Sequence, residues 1–305
     1  MAKILVTGGL GTVGKPLTHE LNRRGHEVWV ADRFHCHEPN YMRCDVAEFH
    51  QVERLFSETM FDYVYHLAAE FGRRNGEDFY ESLWKTNAIG TKNIIRMQER
   101  LKFRMVFTSS SEVYGDYSGV MSEDVTDKVP VKHLNDYAMS KWVNEMQILN
   151  SASMFSTETV RVRLFNTYGP GEYYSEYRSA ICIFIYRALH NLPYTVYTKH
   201  KRTSSYIDDT VRTLANIIDN FKPGEVYNVA GNYLHDMRRV SDIILSYLGK
   251  DDSLVKYRDT EEATTLEKKV DISKAIRDLG HQSTVSLEDG IARTIEWQKE
   301  VYGCG

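Results

Sequence analysis

Short apolar, β-branched runs alternate with amphipathic stretches through the first half of the chain. Residues 3–6, 27–31, 63–67, 104–108 and 159–164 have the length and composition of buried strands. Between them, 14–24, 48–59, 82–99 and 138–151 carry apolar residues at helical spacing. Strand–helix alternation of this kind predicts parallel βαβ units, hence an α/β chain with a doubly wound parallel sheet. After residue 165 the pattern is less regular and richer in aromatics. There "EVYNVA" (225–230) predicts one more strand returning to the sheet. The expected division is a sheet domain over 1–165, with about 203–230 returning to it. A smaller C-terminal lobe, 166–202 and 231–305, would sit over the carboxyl ends of the strands, where open α/β sheets bind ligands.

Composition narrows the partners. The 305 residues are 42% apolar, enough for a substantial core, with a formal net charge of −4. That balance points away from nucleic acid and anionic membranes and towards a small molecule. Cys36, Cys44, Cys182 and Cys304 show no CxxC spacing and no disulfide framework. "HCH" at 35–37 reads as a polar loop, because adjacent residues do not converge on one ion, so no metal site is expected. "MAKILVTGG" lacks the apolar stretch of a signal peptide, and no run is long enough to span a bilayer. The expected setting is soluble, reducing and cytoplasmic.

"VTGGLGTVG" (6–14) follows the first strand and opens the first helix. It fits GxGxxG as Gly9, Gly11, Gly14 and GxxGxxG as Gly8, Gly11, Gly14. Such glycines permit a tight turn and close backbone approach to a pyrophosphate; the helix start, with Thr12 and Val13, adds free N–H groups and a positive dipole end. Asp32 ends the second strand about 20 residues on, where an acid accepts from the adenosine ribose hydroxyls. A carboxylate there repels a 2′-phosphate, which favours NAD over NADP, while neighbouring Arg33 keeps NADP as a minor option. "CDV" (44–46), with Asp45 and Val46, reads equally as an adenine contact or a plain turn.

Two further stretches carry candidate chemistry. "TSSSEVYG" (108–115) puts three serines and a glutamate where the fourth strand should end. "YAMSK" sets Tyr137 and Lys141 four residues apart, on one face of a helix. An ammonium near a phenol stabilises the phenolate, and tyrosine then serves as a general base.

Taken together, TGGxGxxG (7–14), Asp32, "HLAA" (66–69), "TNAIGT" (86–91), "SSSEVYG" (109–115), YxxxK (137–141), "RLFNTYGP" (163–170) and "RTSSYIDD" (202–209) resemble the extended short-chain dehydrogenase/reductases, in the nucleotide-sugar epimerase/dehydratase branch. The pieces occur in family order over nearly the whole chain. The resemblance implies a Rossmann fold holding NAD, and a nucleotide-diphosphate sugar as partner. Tyr137 would take the proton from a sugar hydroxyl, usually at C4, while hydride passes to NAD. Lys141 would hold the nicotinamide ribose and tune Tyr137, and Ser110 would bond the same sugar oxygen. Leu67, Ala68 and Ala69 fall on the cofactor side. Asn87 would be structural or support the surroundings of Lys141. Asn166 and Arg202 would bind the substrate diphosphate, with "KHKR" (199–202) as its clamp, and Tyr206 joins the substrate side. The helices 82–99 and 138–151 would pair in a homodimer.

The shelf residues Ser111 and Glu112 bear on the outcome. Dehydratases of this branch carry Asp-Glu there, and a serine hydroxyl is a poor general acid. UDP-glucuronate decarboxylases resemble the shelf most closely, although the residues between Tyr137 and Lys141 differ from theirs. A C4 ketone makes a C5 carboxylate a β-keto acid, which loses CO2 without a strong acid. Arg73 and Arg74 could reach such a carboxylate, but a solvated loop is the preferred reading of that pair. Simple 4-epimerisation, a 4,6-dehydratase lacking the usual Asp, a 3,5-epimerase using Glu112 as base, a 4-dehydrogenase releasing the keto sugar and a non-catalytic NAD sensor stay open.

Overall fold

The computed structural model describes residues 1–57 and 59–304. The apolar runs fold as β1 (Lys3–Thr7), β2 (Glu27–Asp32), β3 (Tyr41–Arg43), β4 (Tyr63–His66), β5 (Arg104–Ser110), β6 (Thr159–Leu164) and β7 (Val226–Val229). They form one sheet in the order β7-β6-β5-β4-β1-β2-β3, every pair parallel. The winding reverses between β1 and β4, which opens a crevice at their carboxyl ends. Successive residues of β1 bury on opposite faces: Ile4 and Val6 join one core, Leu5 the other. The first core holds Leu17 and Leu21 of α1 (Gly14–Arg23). The second holds Val52 and Leu55 of α2 (Phe49–Leu55), Ile94 and Ile95 of α3 (Gly90–Leu101), and Ile148 of α4 (Asp136–Phe155). Sheet faces covered on both sides explain the near-continuous apolar runs of β1 and β4; β6 also carries Arg161 and Arg163, which pair with the buried Glu145.

Three local differences from the sequence pattern matter. The edge strand β3 was not expected; three residues are too few to show a period. The helix expected over 48–59 ends at Leu55, and its expected course includes Glu58, which lies outside the described residues. The stretch 82–99 is not one helix: Tyr80–Trp84 runs into a π-turn, Lys85–Ile89, before α3 begins. Asn87 stands in the middle of that turn and is fully buried. Its amide accepts from Glu70 N–H (2.8 Å) and donates to the Glu70 carbonyl (3.1 Å) and to Ser140 Oγ (3.0 Å). An extra residue in a helical turn is a common way to aim one side chain inward.

Beyond β6 the chain adds α5 (Ala180–Leu189), α6 (Ile207–Asn216), α7 (Met237–Leu248) and α8 (Leu287–Tyr302). Short strand pairs join them: Lys201–Thr203 with Leu234–Asp236, and Val120–Met121 with Lys269–Val270. The second pair draws the segment around residue 268 up to the end of β5. Among the described residues, no helix is long and apolar enough to cross a membrane.

Candidate active site

A cleft of about 430 Å³ lies at the crevice and is lined by Gly8, Gly11, Thr12, Asp32, Asp45, Val46, Leu67, Ala68 and Ala69, among others. Its floor is backbone. Gly8 has φ +70°, and a Cβ there would lie 2.7 Å from Ala68 N. A Cβ on Gly14 would lie 2.2 Å from the Gly8 carbonyl oxygen. These are the contacts of GxxGxxG, so Gly8 rather than Gly9 makes the turn. At the start of α1, Val13 offers no side-chain cap and the first turn holds no acid. Lys15 N–H is held by the Gly11 carbonyl at 3.0 Å and residue 16 is a proline, so the donors left for a phosphate are those of Thr12, Val13 and Gly14. Asp32 Oδ2 accepts from Leu10 N–H at 3.1 Å, which fixes the carboxylate at the cleft wall. A cradle that admits no Cβ, an uncapped helix start and an anchored acid fit a dinucleotide. Arg33, beside the acid, pairs with Glu70 Oε1 at 2.7 Å.

The serine shelf ends β5 and turns into a 3-10 turn, Ser111–Tyr114. Ser110 Oγ caps that turn by accepting from Glu112 N–H at 3.2 Å. Opposite it, Asn135 caps α4 through Ala138 N–H at 2.8 Å, which puts Tyr137 in the first helical turn. The Tyr137 ring is buried, edge-on to Phe71. Burial raises its phenol above the ordinary range, and hydrogen bonding with Ser110 opposes that rise. One turn on, Lys141 Nζ donates to the Thr108 carbonyl at 2.8 Å, and burial lowers it to about 8. This differs from the expected depression of Tyr137 by Lys141: the ammonium is aimed at a carbonyl, and desolvation dominates both groups. Glu145, a turn beyond Lys141, is fully buried; it accepts from Ser109 Oγ (2.6 Å) and pairs with Arg163 (2.8 Å) and Arg161 (3.2 Å).

Four distant segments converge at the far side of the shelf. Lys268 Nζ donates to Glu112 Oε1 and lies 3.2 Å from Ser111 Oγ. Arg73 Nε is 4.0 Å from the same Glu112 oxygen, and its Nη2 pairs with Glu261 at 2.8 Å. Burial pushes the Glu112 carboxyl up, but Lys268, Arg73 and Arg202 together outweigh it and hold the group at about 2. Burial lowers Lys268 to about 8, against the pull of Glu112. Arg202 is lowered to about 10 by burial. Three cations thus gather with two carboxylates; Arg202 and Lys268 are buried, and Arg73, Glu112 and Glu261 are half-buried.

The sequence-based site is brought together only in part. Ser110, Ser111, Glu112, Tyr137 and Lys141 gather at the end of β5 and the start of α4. Arg73 leaves its expected solvated loop: it opens a short helix, Arg73–Asp78, and turns inward, while Arg74 stays exposed. The basic clamp of 199–202 divides, because alternation turns His200 and Arg202 inward, where they bond each other at 2.9 Å, and leaves the two lysines outside. Lys199 and Lys201 pair outside with Asp259 and Glu267. Arg202 itself is engaged by the carbonyls of Lys201 and Leu266, each at 2.9 Å. Tyr206 is packed against Tyr168 and the backbone of Gly290, away from the charged cluster. Asn166 bends the chain with φ 41°, and its carbonyl accepts from Ser205 N–H at 3.4 Å. Asn87 lies outside the cleft lining and holds Glu70 and Ser140. Lys268 was missed entirely. "LEKKVD" reads as a charged surface turn, and only pairing with Val120–Met121 and the Lys201 backbone turns Lys268 inward.

The model of the NAD dependent epimerase/dehydratase family matches residues 4–230. The UDP-N-acetyl-alpha-D-glucosaminuronate decarboxylase of Bacillus cytotoxicus is 28% identical, over 98% of this chain and 98% of that protein. UDP-glucuronic acid decarboxylase 1 of Xenopus tropicalis is 30% identical, over 97% of this chain and 72% of that one. The crystal structure of a UDP-glucuronic acid 4-epimerase from Bacillus cereus, in complex with UDP-glucuronic acid and NAD, superposes with a TM-score of 0.89 at 25% identity, covering 98% of this chain and 100% of that chain.

Proposed function

The chain belongs to the NAD dependent epimerase/dehydratase family, and from that premise we propose that its substrate is a nucleotide-linked uronic acid, oxidised at C4 and then decarboxylated. The observation that carries this reading is the cluster of Arg73, Arg202 and Lys268 around Glu112. A sugar carboxylate is the substrate group that such an excess of cations, two of them buried, suits.

Bound NAD supplies the hydride acceptor for C4 and returns that hydride at the end of the turnover. Tyr137 takes the C4 hydroxyl proton, and Ser110 bonds the oxygen. Lys141 offsets the charge that develops on Tyr137. The C4 ketone makes the C5 carboxylate a β-keto acid; CO2 leaves and its bonding electrons stay as an enolate. The Lys268 ammonium, lowered by burial to about 8, hands a proton to C5. Glu112 is not the C5 base here. A carboxyl held at about 2 is a weak base for a carbon acid, which weighs against dehydration and 3,5-epimerisation. Residues 166–202 and 231–305 form the substrate lobe, and the chain works as a homodimer through α3 and α4, where Met139, Met146 and Leu149 are exposed.

A second reading, 4-epimerisation with the carboxylate kept, is favoured by the fold likeness to the Bacillus cereus enzyme and uses the same cations. Mass spectrometry of products from a panel of nucleotide sugars tests both. Loss of CO2 from a uronate is expected; unchanged mass with a new C4 configuration selects epimerisation; turnover of neutral hexoses alone would sink the uronate reading.

A further inference from the structure

Arg33 sits next to the ribose-binding acid, and whether it can reach a nucleotide decides which cofactor the cleft accepts. We propose that Glu70 makes this chain selective for NAD over NADP by holding Arg33 away from the adenosine ribose. This rests on the dinucleotide site and not on the choice of sugar.

A guanidinium directly after the acid is the group that would pair with a 2′-phosphate, because its planar fork matches phosphate oxygens. Here one arm of the fork is taken. Arg33 Nη1 donates to Glu70 Oε1 at 2.7 Å, across 37 residues of sequence. The rest of the guanidinium lies over the Phe34 ring, 5.1 Å from its centroid. Glu70 is launched from a fixed point, since Asn87 grips both its N–H and its carbonyl. Its other oxygen accepts from Asn75 Nδ2 at 3.4 Å. Both ends of the pair and Asp32 line the same cleft. A 2′-phosphate entering there meets two carboxylates, and the cation adjoining the acid is already paired; Arg178, which also lines the cleft, comes from the segment beyond β6. The Asp-Arg pair at 32–33 is ambiguous alone; a residue in the segment after β4 resolves it.

Calorimetric titration of the full-length chain with NAD+ and with NADP+ tests this without any sugar. The wild type is expected to prefer NAD+. Glu70→Gln keeps the backbone bonds to Asn87 but frees the guanidinium, so the preference should fall about tenfold, the scale of one charge-assisted contact. Adding Arg33→Ala to Glu70→Gln should restore the preference. An unchanged preference in Glu70→Gln overturns the proposal. So does a gain for NADP+ that survives in the double variant, since repulsion by Glu70 would then be the cause. A wild type that bound neither nucleotide would remove the dinucleotide site itself, and failure of the uronate reading would leave all these titrations unaffected.

Discussion

At the end of the cleft proposed for the adenosine, the floor is backbone held between β1, α1 and β2. At the end proposed for the sugar, the charged side chains of residues 73, 112, 202 and 268 gather beyond the cleft lining. The first end is specified by space: a Cβ on Gly14 has 2.2 Å to the Gly8 oxygen and nowhere to go. The second is specified by charge: Glu112 is held at about 2 by its neighbouring cations against burial, and Lys268 at about 8 by burial against the pull of Glu112. Space does not depend on pH, but a charged cluster does. The two ends should therefore fail in different ways, one to an added methyl and the other to an added or removed proton.

Between them stands Tyr137, where the largest effect is expected. Tyr137→Phe should lower kcat by roughly 10²–10⁴-fold, the usual share of a positioned acid–base group, while calorimetry shows NAD+ affinity within a few fold. Full turnover in that variant would end the proposed proton transfer and leave the two ends of the cleft without a reaction to share. Next comes Lys268→Met, expected to lower kcat/KM on a nucleotide uronate by about 10²-fold through loss of a buried charge contact. Lys268→Arg should recover KM but not kcat, because a guanidinium holds its proton too tightly to give it up. The pH profile supplies the sign. Lys268 is charged below about 8 and neutral above it, so wild-type rates should fall as pH rises through that value. Any falling limb that persists in Lys268→Arg belongs to Lys141, also held near 8. Normal uronate kinetics in Lys268→Met would break the contrast between the two ends.

How legible each end was follows from the same contrast. The adenosine end was readable because "VTGGLGTVG" and Asp32 lie on consecutive elements, and a glycine that no other residue can replace leaves a mark in sequence. The sheet was readable because its buried parallel strands are mostly apolar, β6 with its Arg161 and Arg163 being the exception. Tyr137 and Lys141 were readable because one helix sets their spacing. Lys268 was not, since nothing local distinguishes it from Lys269, which pairs outside with Glu267 at 2.8 Å. Its inward turn depends on a two-residue strand meeting a segment about 150 residues away. Arg73 was read as solvated for the same reason: its partners, Glu112 and Glu261, lie in other elements. The π-turn at Lys85–Ile89 escaped because the period on both sides of it is helical, and only the bonds of Asn87 to Glu70 and Ser140 reveal the extra residue.

A steric test sharpens the adenosine end. Gly14→Ala should weaken NAD+ by more than about tenfold and destabilise the fold by about 1–3 kcal/mol, as overpacking against backbone does. Gly11→Ala, whose Cβ would stand 3.2 Å from the Gly8 oxygen, should be milder. Equal effects from both would mean that the cradle is less tightly specified than the Gly8–Gly14 contact implies.

The smallest effect is in stability, and it asks whether the sugar end is held by charge at all. The Glu112 carboxyl is depressed from 4.5 to about 2 in the folded chain. A group depressed on folding contributes stability that is present above its unfolded value and lost as pH falls through its folded one. The window for Glu112 is therefore from about 4.5 down to about 2. Urea midpoints measured across it should fall more steeply for the wild type than for Glu112→Gln, which has no proton to gain. At neutral pH the order reverses in cause: Glu112→Gln leaves Lys268 beside Ser111 without its counter-charge, and breaking a buried pair on one side is costly. The variant should thus start lower and decline less. Gly14→Ala also starts lower, but its defect is steric, so its curve should run parallel to the wild type through the same window. If Glu112→Gln also ran parallel, the carboxyl would not be titrating against Lys268, Arg73 and Arg202, and the electrostatic account of the sugar end would fail while the steric account of the adenosine end stood.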